Sequence, residues 1–256
     1  MLVAGVASWR YYTSKSPHSP SIMAGHSLGE YTALVCSGAI AFKDAVDLVK
    51  CRAQYMAAAV PDGLGAMAAI IGLDDDVVIE ACNEGKNKGI VEAVNFNAPG
   101  QVVIAGSKIA VENTIDIAKN KGARRAILLN VSIPSHCELM LPAGAQLKEK
   151  LQSIQLAIPC VPVINNVDVA LYTDQNNLIE GLTRQISNPV RWADIIRYFI
   201  KKDIGIAIEF GSGGVLSGLC KRIDKSIRAV KFDSINSIDL INELIAQKLT
   251  PEEDNE

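Results

Sequence analysis

The sequence contains few aromatic residues, few histidines and little net charge. Phe, Trp and Tyr together account for 5% of its 256 residues, whereas hydrophobic residues account for 49%, so the core must be built mainly from aliphatic side chains. A disordered chain would be poorer in apolar residues and more strongly charged, so this class is excluded. The net charge of −3 argues against a nucleic-acid partner, although it permits a local basic patch.

The cysteines show no Cys-x-x-Cys spacing, and no long apolar run is present. Scattered cysteines are typical of a reduced protein, so we predict neither a disulfide framework nor a metal site. No apolar run approaches the roughly 18 residues that span a bilayer. Residues 1–9 lack the basic start and the cleavage pattern of a signal peptide. These absences predict a cytoplasmic globular protein without a membrane partner. The cysteines are Cys36, Cys51, Cys82, Cys137, Cys160 and Cys220.

Two kinds of pattern along the chain predict two domains in an α/β fold. Residues 62–131 contain predicted elements in the order strand, helix, strand, strand, helix, strand, which is the ferredoxin-like βαββαβ arrangement. In residues 1–61 and 132–256, strands alternate with helices, and the strands include residues 22–25 and 161–165. This alternation predicts a mainly parallel sheet covered on both faces. We therefore predict a discontinuous large domain into which the small ferredoxin-like domain is inserted.

Residues 25–29 read Gly-His-Ser-Leu-Gly and fit the pattern of a nucleophile elbow, Gly-x-Ser-x-Gly. In such an elbow the serine lies on a sharp turn between a strand and a helix, and the glycines permit the strained backbone. Apolar residues 22–24 before the pattern and a helix-forming segment after it supply this context. The first N–H groups of that helix, beginning with Leu28, would point at a developing oxyanion. An ordinary strand–helix turn at Ser27 is the alternative.

A serine nucleophile needs a base, and the chain has three histidines. His26 lies inside the elbow, where we expect its side chain to point away from Ser27. His18 lies in a loop rich in serine and proline that offers no reason to select it. His136 ends a loop between a predicted strand and a helix, where catalytic bases often lie. Elimination selects His136, with a helix-capping histidine as the alternative.

Arg52 lies on the apolar face of a predicted helix, together with Val49 and Met56. Buried arginine is uncommon without a partner. It could be a structural residue paired inside the protein, or a fork left open for a substrate carboxylate. The residues alone favour the structural interpretation.

Two further features allow more than one interpretation. Residues 209–214, Glu-Phe-Gly-Ser-Gly-Gly, could hold a phosphate, but no Lys-Ser or Lys-Thr follows, so a tight turn is preferred. Basic residues cluster at Lys221 and Arg222 and again within residues 119–125. Such clusters are usually solvated surface, but either one could bind an acidic partner.

Several of these segments together resemble the malonyl-CoA:acyl carrier protein transacylase family of type II fatty acid synthesis, as far as about Arg222. The resemblance implies an α/β-hydrolase-like large domain with a ferredoxin-like insertion. It also implies transfer of malonyl from malonyl-CoA to the phosphopantetheine thiol of acyl carrier protein, through an acyl-serine and without a cofactor. The segments that carry it are residues 25–31, Arg52, residues 65–70, residues 95–101 and residues 134–136.

The resemblance implies a role for each matching residue. Ser27 would be the nucleophile, His136 the general base and acid, and Leu28 the donor of an N–H to the oxyanion. Arg52 would bind the free malonate carboxylate, which reverses the preference reached from the residues alone. The family orients its histidine through a main-chain carbonyl, and Gln185 is the matching position.

The sequence departs from the family pattern in two places. The family begins with a further strand and a loop whose glutamine completes the oxyanion region, so we expect this chain to lack an edge of its sheet and part of that region. The family's Gly-Pro-Gly turn is Gly-Ser-Gly at residues 211–213.

Two alternatives to acyl transfer remain. A serine hydrolase or thioesterase would use the same Ser27 and His136, although it would have no use for a buried Arg52. An inactive form that binds carrier protein is the other. We expect a monomer that docks carrier protein through Lys221 and Arg222.

Overall fold

The computed structural model of the chain describes residues 1–131, 133–233 and 236–249. Helices and strands alternate through most of this length, as expected for the α/β class. The helices are α1 (Leu2–Thr13), α2 (Leu28–Cys36), α3 (Phe42–Ala59), α4 (Asp75–Gly85), α5 (Lys108–Asn120), α6 (Leu141–Gln152), α7 (Gln175–Gln185), α8 (Trp192–Lys201), α9 (Val215–Ile223) and α10 (Asn236–Leu249). The strands are β1 (Gly65–Ile71), β2 (Val91–Ala98), β3 (Gln101–Ser107), β4 (Arg125–Leu128), β5 (Ile206–Phe210) and β6 (Arg228–Phe232).

A four-stranded antiparallel sheet forms within residues 65–128, in the order β2-β3-β1-β4. With α4 and α5 it has the βαββαβ order predicted from the sequence. Successive side chains of a strand point to opposite faces. Ala68 and Ile70 of β1 therefore belong to the core under α4 and α5, whereas Met67 joins Cys137 in a cluster on the opposite face. This second face thus packs next to His136. The domain boundaries at residues 61 and 132 stay a prediction.

A second core lies among α1, α2, α3, α6 and α7 and is mainly aliphatic. Its fully buried side chains include Leu34 of α2, Leu48 of α3, Leu147 of α6 and Leu178 of α7. Each helix contributes apolar residues at helical spacing, so burial of one face holds it in place. This packing fixes α2 and α3, which carry Ser27 and Arg52, against each other.

Parallel pairing in the rest of the chain is less extensive than the sequence predicts. Within the described residues, β5 and β6 form a two-stranded parallel sheet. The strands predicted at residues 22–25 and 161–165 are reduced to isolated bridges, a parallel one between Met23 and Val163 and an antiparallel one between Ile164 and Leu171. Residues 22–25 and β5 both line a cavity of about 900 Å³. Among the described residues no ladder joins residues 22–25 to β5, and Pro162 lacks the N–H that a regular ladder requires.

Candidate active site

The elbow begins where residues 22–25 lead into α2, and Ser27 is the residue immediately before this helix. The φ angle of Ser27 is 51°, a left-handed value that costs a non-glycine residue about 1–3 kcal/mol. A Cβ added at Gly25 would lie 2.0 Å from the backbone of Gly29, so no side chain fits there. A Cβ added at Gly29 would have no atom within 4 Å. Close packing therefore requires the first glycine of the pattern but not the second.

Ser27 Oγ lies 2.8 Å from His136 Nε2, although 109 residues separate them in sequence. His136 is buried, and its Nδ1 lies 2.6 Å from the main-chain oxygen of Gln185. A carbonyl oxygen can only accept, so Nδ1 carries the proton and Nε2 is free to accept one from Ser27. Burial lowers the pKa of His136 to about 3, and the charge of Arg52 acts in the same direction. The imidazole is therefore neutral at neutral pH, as a general base must be.

The structure does not bring the other two histidines to the Ser27 hydroxyl. His26 Nε2 lies 2.8 Å from Asn97 Oδ1, and its ring packs against Trp192. His18 lines the cavity between residues 22–25 and β5. His26 thus points away from Ser27 as expected, while the role of His136 as the base stays a prediction.

Arg52 lies beside the serine rather than in an internal ion pair. Its Nη2 donates to Ser27 Oγ at 3.1 Å and to Gln185 Oε1 at 3.2 Å, and the guanidinium lies over the Tyr31 ring. The side chain is 7% exposed, and its buried Nε has no hydrogen-bond partner among the described residues. A buried donor without a partner is costly, so this fork suits an anionic ligand better than a purely structural role.

A buried polar network that the sequence interpretation missed packs against Ser27, His136 and Arg52. Glu30 is 0% exposed and accepts hydrogen bonds from Tyr172 Oη, from Gln185 Nε2 at 2.7 Å and from Asn166 N at 3.2 Å. Burial raises the pKa of Glu30 to about 7, while these hydrogen bonds and the charge of Arg52 oppose the rise. Glu30 precedes Leu34 by four residues and so shares the buried face of α2. Glu30 therefore shows the same local sign as Arg52, a charged residue on an apolar helix face.

Asn166 connects this network to both sides of the elbow. Its Oδ1 accepts from Ser27 N at 2.7 Å, and its Nδ2 donates to Gly25 O at 2.7 Å. The Ser27 N–H is therefore engaged. Leu28 is the first residue of α2, and the first N–H groups of a helix have no acceptor within it. The oxyanion-donor role expected for the Leu28 N–H is compatible with this position and stays a prediction.

Lys221 and Arg222 are exposed at the end of α9. Arg222 Nη1 donates to Gln101 Oε1 at 2.7 Å, just after the turn that follows β2. Asn97 of β2 contacts His26, so this basic pair lies on the elbow side of the small sheet. The preceding glycine turn does not offer a free anion site, because Glu209 accepts from the N–H groups of residues 216 and 217.

Residues 1–131, 133–233 and 236–249 contain neither a metal site nor a membrane span. No group of three or more His, Cys, Asp or Glu side chains is placed there to hold a metal ion. Among the same residues, no helix is both long enough and apolar enough to cross a membrane.

The chain is similar to known proteins over most of its length. Residues 1–227 match the family described as the acyl transferase domain. A malonyl CoA-acyl carrier protein transacylase from Haemophilus influenzae is 46% identical over 246 residues, which cover 96% of this chain and 79% of that protein. The protein of the same name from Escherichia coli K12 is 49% identical over 229 residues, or 90% of this chain and 74% of that one.

Solved structures agree with these relatives. An acyl-carrier-protein S-malonyltransferase from Burkholderia pseudomallei superposes with a TM-score of 0.93 at 48% identity, covering 94% of this chain and 79% of that chain. A malonyl-transacylase in complex with a type II PKS acyl-carrier protein gives a TM-score of 0.93 at 47% identity and covers 95% and 79%.

Proposed function

The chain belongs to the acyl transferase domain family, and we propose that it moves a malonyl group from malonyl-CoA to the pantetheine thiol of acyl carrier protein. The observation that carries the proposal is the convergence on one hydroxyl: Ser27 Oγ lies within hydrogen-bond distance of both His136 Nε2 and Arg52 Nη2. A base and a cation fork beside a nucleophile suit a thioester that carries a second carboxylate. The named activity of the relatives is this transfer.

The first half-reaction acylates the serine. Ser27 Oγ attacks the thioester carbonyl, and its proton passes to His136 Nε2. The oxyanion of the tetrahedral intermediate accepts a hydrogen bond from the N–H of Leu28. When the carbon–sulfur bond breaks, the leaving thiolate of coenzyme A takes the proton from His136. The Gln185 carbonyl holds the ring and stabilises its transient positive charge.

The second half-reaction reverses these proton transfers on a new thiol. The pantetheine thiol of the carrier gives its proton to His136 Nε2 and attacks the acyl-serine ester. A carbon–sulfur bond forms, the bond to Ser27 Oγ breaks, and the serine oxygen regains the proton. These reaction steps require protein side chains and two thiols, so we propose an enzyme without a cofactor. We also propose that it acts as a cytoplasmic monomer.

Arg52 favours malonyl transfer over a serine hydrolase that uses the same pair. A hydrolase acting on neutral esters would bury an unpaired cation beside its nucleophile, which is costly. In the proposed enzyme the malonate carboxylate pairs with that cation.

The experiment that tests the proposed function is acyl mapping. The protein is incubated with malonyl-CoA, quenched in acid, digested and analysed by mass spectrometry, with Ser27→Ala as the control. We expect malonyl on the peptide that contains Ser27 and none in the variant. Malonyl on another residue would contradict the role of Ser27, and the absence of any adduct would contradict the proposed transfer.

We propose that the carrier docks on Lys221 and Arg222. A solved neighbour is a complex with an acyl-carrier protein. In the other cluster, Lys121 is paired with Glu84 and Lys119 with Asp116, which leaves less net positive charge there.

Reversal of both charges, Lys221→Glu with Arg222→Glu, is expected to raise KM for the carrier roughly three- to tenfold while KM for malonyl-CoA changes little. The effect should shrink with added salt, because exposed charges are screened. Reversal of Lys119 and Arg125 is the matched control. If KM for the carrier rises in the control variant instead, the docking site would be the basic cluster within residues 119–125.

A further inference from the structure

Glu30 combines complete burial with contacts to three separate parts of the chain. Its carboxylate belongs to α2, yet its hydrogen-bond partners are Tyr172, Gln185 of α7 and the main chain of Asn166. A buried carboxylate is expensive unless it is fully hydrogen-bonded. Both of its oxygens accept hydrogen bonds here, and these bonds offset the cost of burial. All of them lie next to the elbow.

The partners of Glu30 are the side chains that hold Ser27. Gln185 Nε2, which donates to Glu30, also donates to Ser27 O at 2.9 Å. Asn166, held at its main chain, binds Ser27 N and Gly25 O with its side-chain amide. The strained turn at Ser27 is therefore held at its N–H and at its C=O by two amides that share one carboxylate.

The hydrogen bond between Gln185 and Glu30 also affects His136 and Arg52. An amide nitrogen directed at Glu30 leaves Gln185 Oε1 directed at Arg52 Nη2, so the carboxylate fixes which end of the amide faces the arginine. The main-chain oxygen of Gln185 is the acceptor for His136 Nδ1. A shift of Gln185 would thus move the serine, the base and the arginine together.

We propose that Glu30 is a positioning residue, whose buried oxygen acceptor holds Gln185 and Asn166 and through them the Ser27–His136 geometry. The inference rests on the proposed function for its role in acyl transfer. Its test uses a reaction that does not require malonyl-CoA. Misplacement by about 1 Å is enough to slow a positioned reaction about a hundredfold, so loss of this acceptor should be measurable.

The test is the rate at which phenylmethanesulfonyl fluoride labels Ser27. In this reaction Ser27 Oγ forms a bond to sulfur, fluoride leaves, and the hydroxyl proton passes to His136. The reagent carries no carboxylate, so the rate reports the serine and its base rather than recognition by Arg52. All rates are measured well below the Tm of each variant.

Glu30→Met keeps the length of the side chain but removes both acceptors, and we expect it to slow labelling about tenfold to a hundredfold. Glu30→Gln keeps one amide oxygen for Gln185 and Asn166 and can donate to Tyr172, so it should label close to the wild-type rate. Thr114→Val is the matched control, because it removes a buried hydroxyl that donates to Ala110 O in α5, away from Ser27. It should leave the labelling rate close to that of the wild type.

Wild-type labelling by Glu30→Met would overturn the proposal, and so would a Glu30→Gln rate as low as that of Glu30→Met, since charge rather than an acceptor would then matter. If Glu30→Met does not fold, Gln185→Met tests the same connection. It leaves Glu30 and the main-chain carbonyl in place, and labelling at the wild-type rate would again overturn the inference. If wild type labels normally but takes no malonyl, the proposed function fails while the test of Glu30 still stands.

Discussion

Replacement of His136 by alanine is expected to lower the rate of malonyl transfer by about 10²–10⁴-fold, the usual contribution of a positioned general base. Nε2 of His136 lies 2.8 Å from Ser27 Oγ, and neither His26 nor His18 is placed to accept that proton. The measurement is single-turnover acylation of Ser27 by malonyl-CoA. This step isolates the first proton transfer from release of coenzyme A.

His18→Ala is the control, since this side chain lies away from the hydroxyl, and it should acylate at a rate close to wild type. Near-normal acylation by His136→Ala would show that another group removes the proton. The hydrogen bond from Nδ1 to the Gln185 carbonyl would then be structural, and the base would have to be sought elsewhere.

The pH dependence of acylation provides an independent check on the state of His136. Its pKa is lowered to about 3, chiefly by burial. The neutral, proton-accepting form therefore persists as the pH falls through about 6.5, where an exposed histidine would become charged. Acylation should consequently show no loss from protonation of His136 until the pH approaches 3. A titration of the acylation rate near pH 6.5 that persists in Glu30→Gln would contradict the buried, neutral imidazole.

The small sheet and several helices were predictable because their signals are local. The sequence predicts a strand at residues 65–71 and a helix at residues 192–201, and these are the limits of β1 and α8. A strand bounded by turn residues and a helix with an apolar face each depend on neighbouring residues. The strands predicted at residues 22–25 and 161–165 depend instead on partners distant in sequence. Residues 22–25 pair through the single bridge from Met23 to Val163, and no local pattern reports this.

The site was predictable to the extent that its chemistry is restricted to few residues. Ser27 follows from a five-residue pattern, and His136 from a choice among three histidines. Asn166 lies 139 residues from Ser27 in sequence and makes its contacts through the tertiary fold. Glu30 offered one local sign, a carboxylate on an apolar helix face. Glu30 was not predicted as a functional residue, although the same sign marked Arg52.

Replacement of Arg52 by alanine is expected to reduce kcat/KM for malonyl-CoA by about 30- to 4,000-fold, while transfer from acetyl-CoA is retained or improved. The range corresponds to about 2–5 kcal/mol for removing one partner of a buried charged pair. A planar guanidinium can bind the malonate carboxylate through two parallel hydrogen bonds, and this pairing also holds the thioester over Ser27. Acetyl-CoA offers no carboxylate and leaves the buried arginine unpaired, so we expect it to be a poor substrate of the wild type.

Arg52→Lys separates charge from geometry. An ammonium group keeps the positive charge but cannot form the two parallel hydrogen bonds, so this variant should recover only part of the malonyl activity. Both variants are compared by kcat/KM for the two thioesters, with a melting curve for each. If Arg52 were instead a structural residue, Arg52→Ala would lower the Tm and damage both substrates equally. The structure favours selective loss, because Arg52 Nε is buried without a partner among the described residues and Nη2 already contacts the nucleophile. An equal loss for malonyl and acetyl would return Arg52 to a structural role and remove the basis for malonyl specificity.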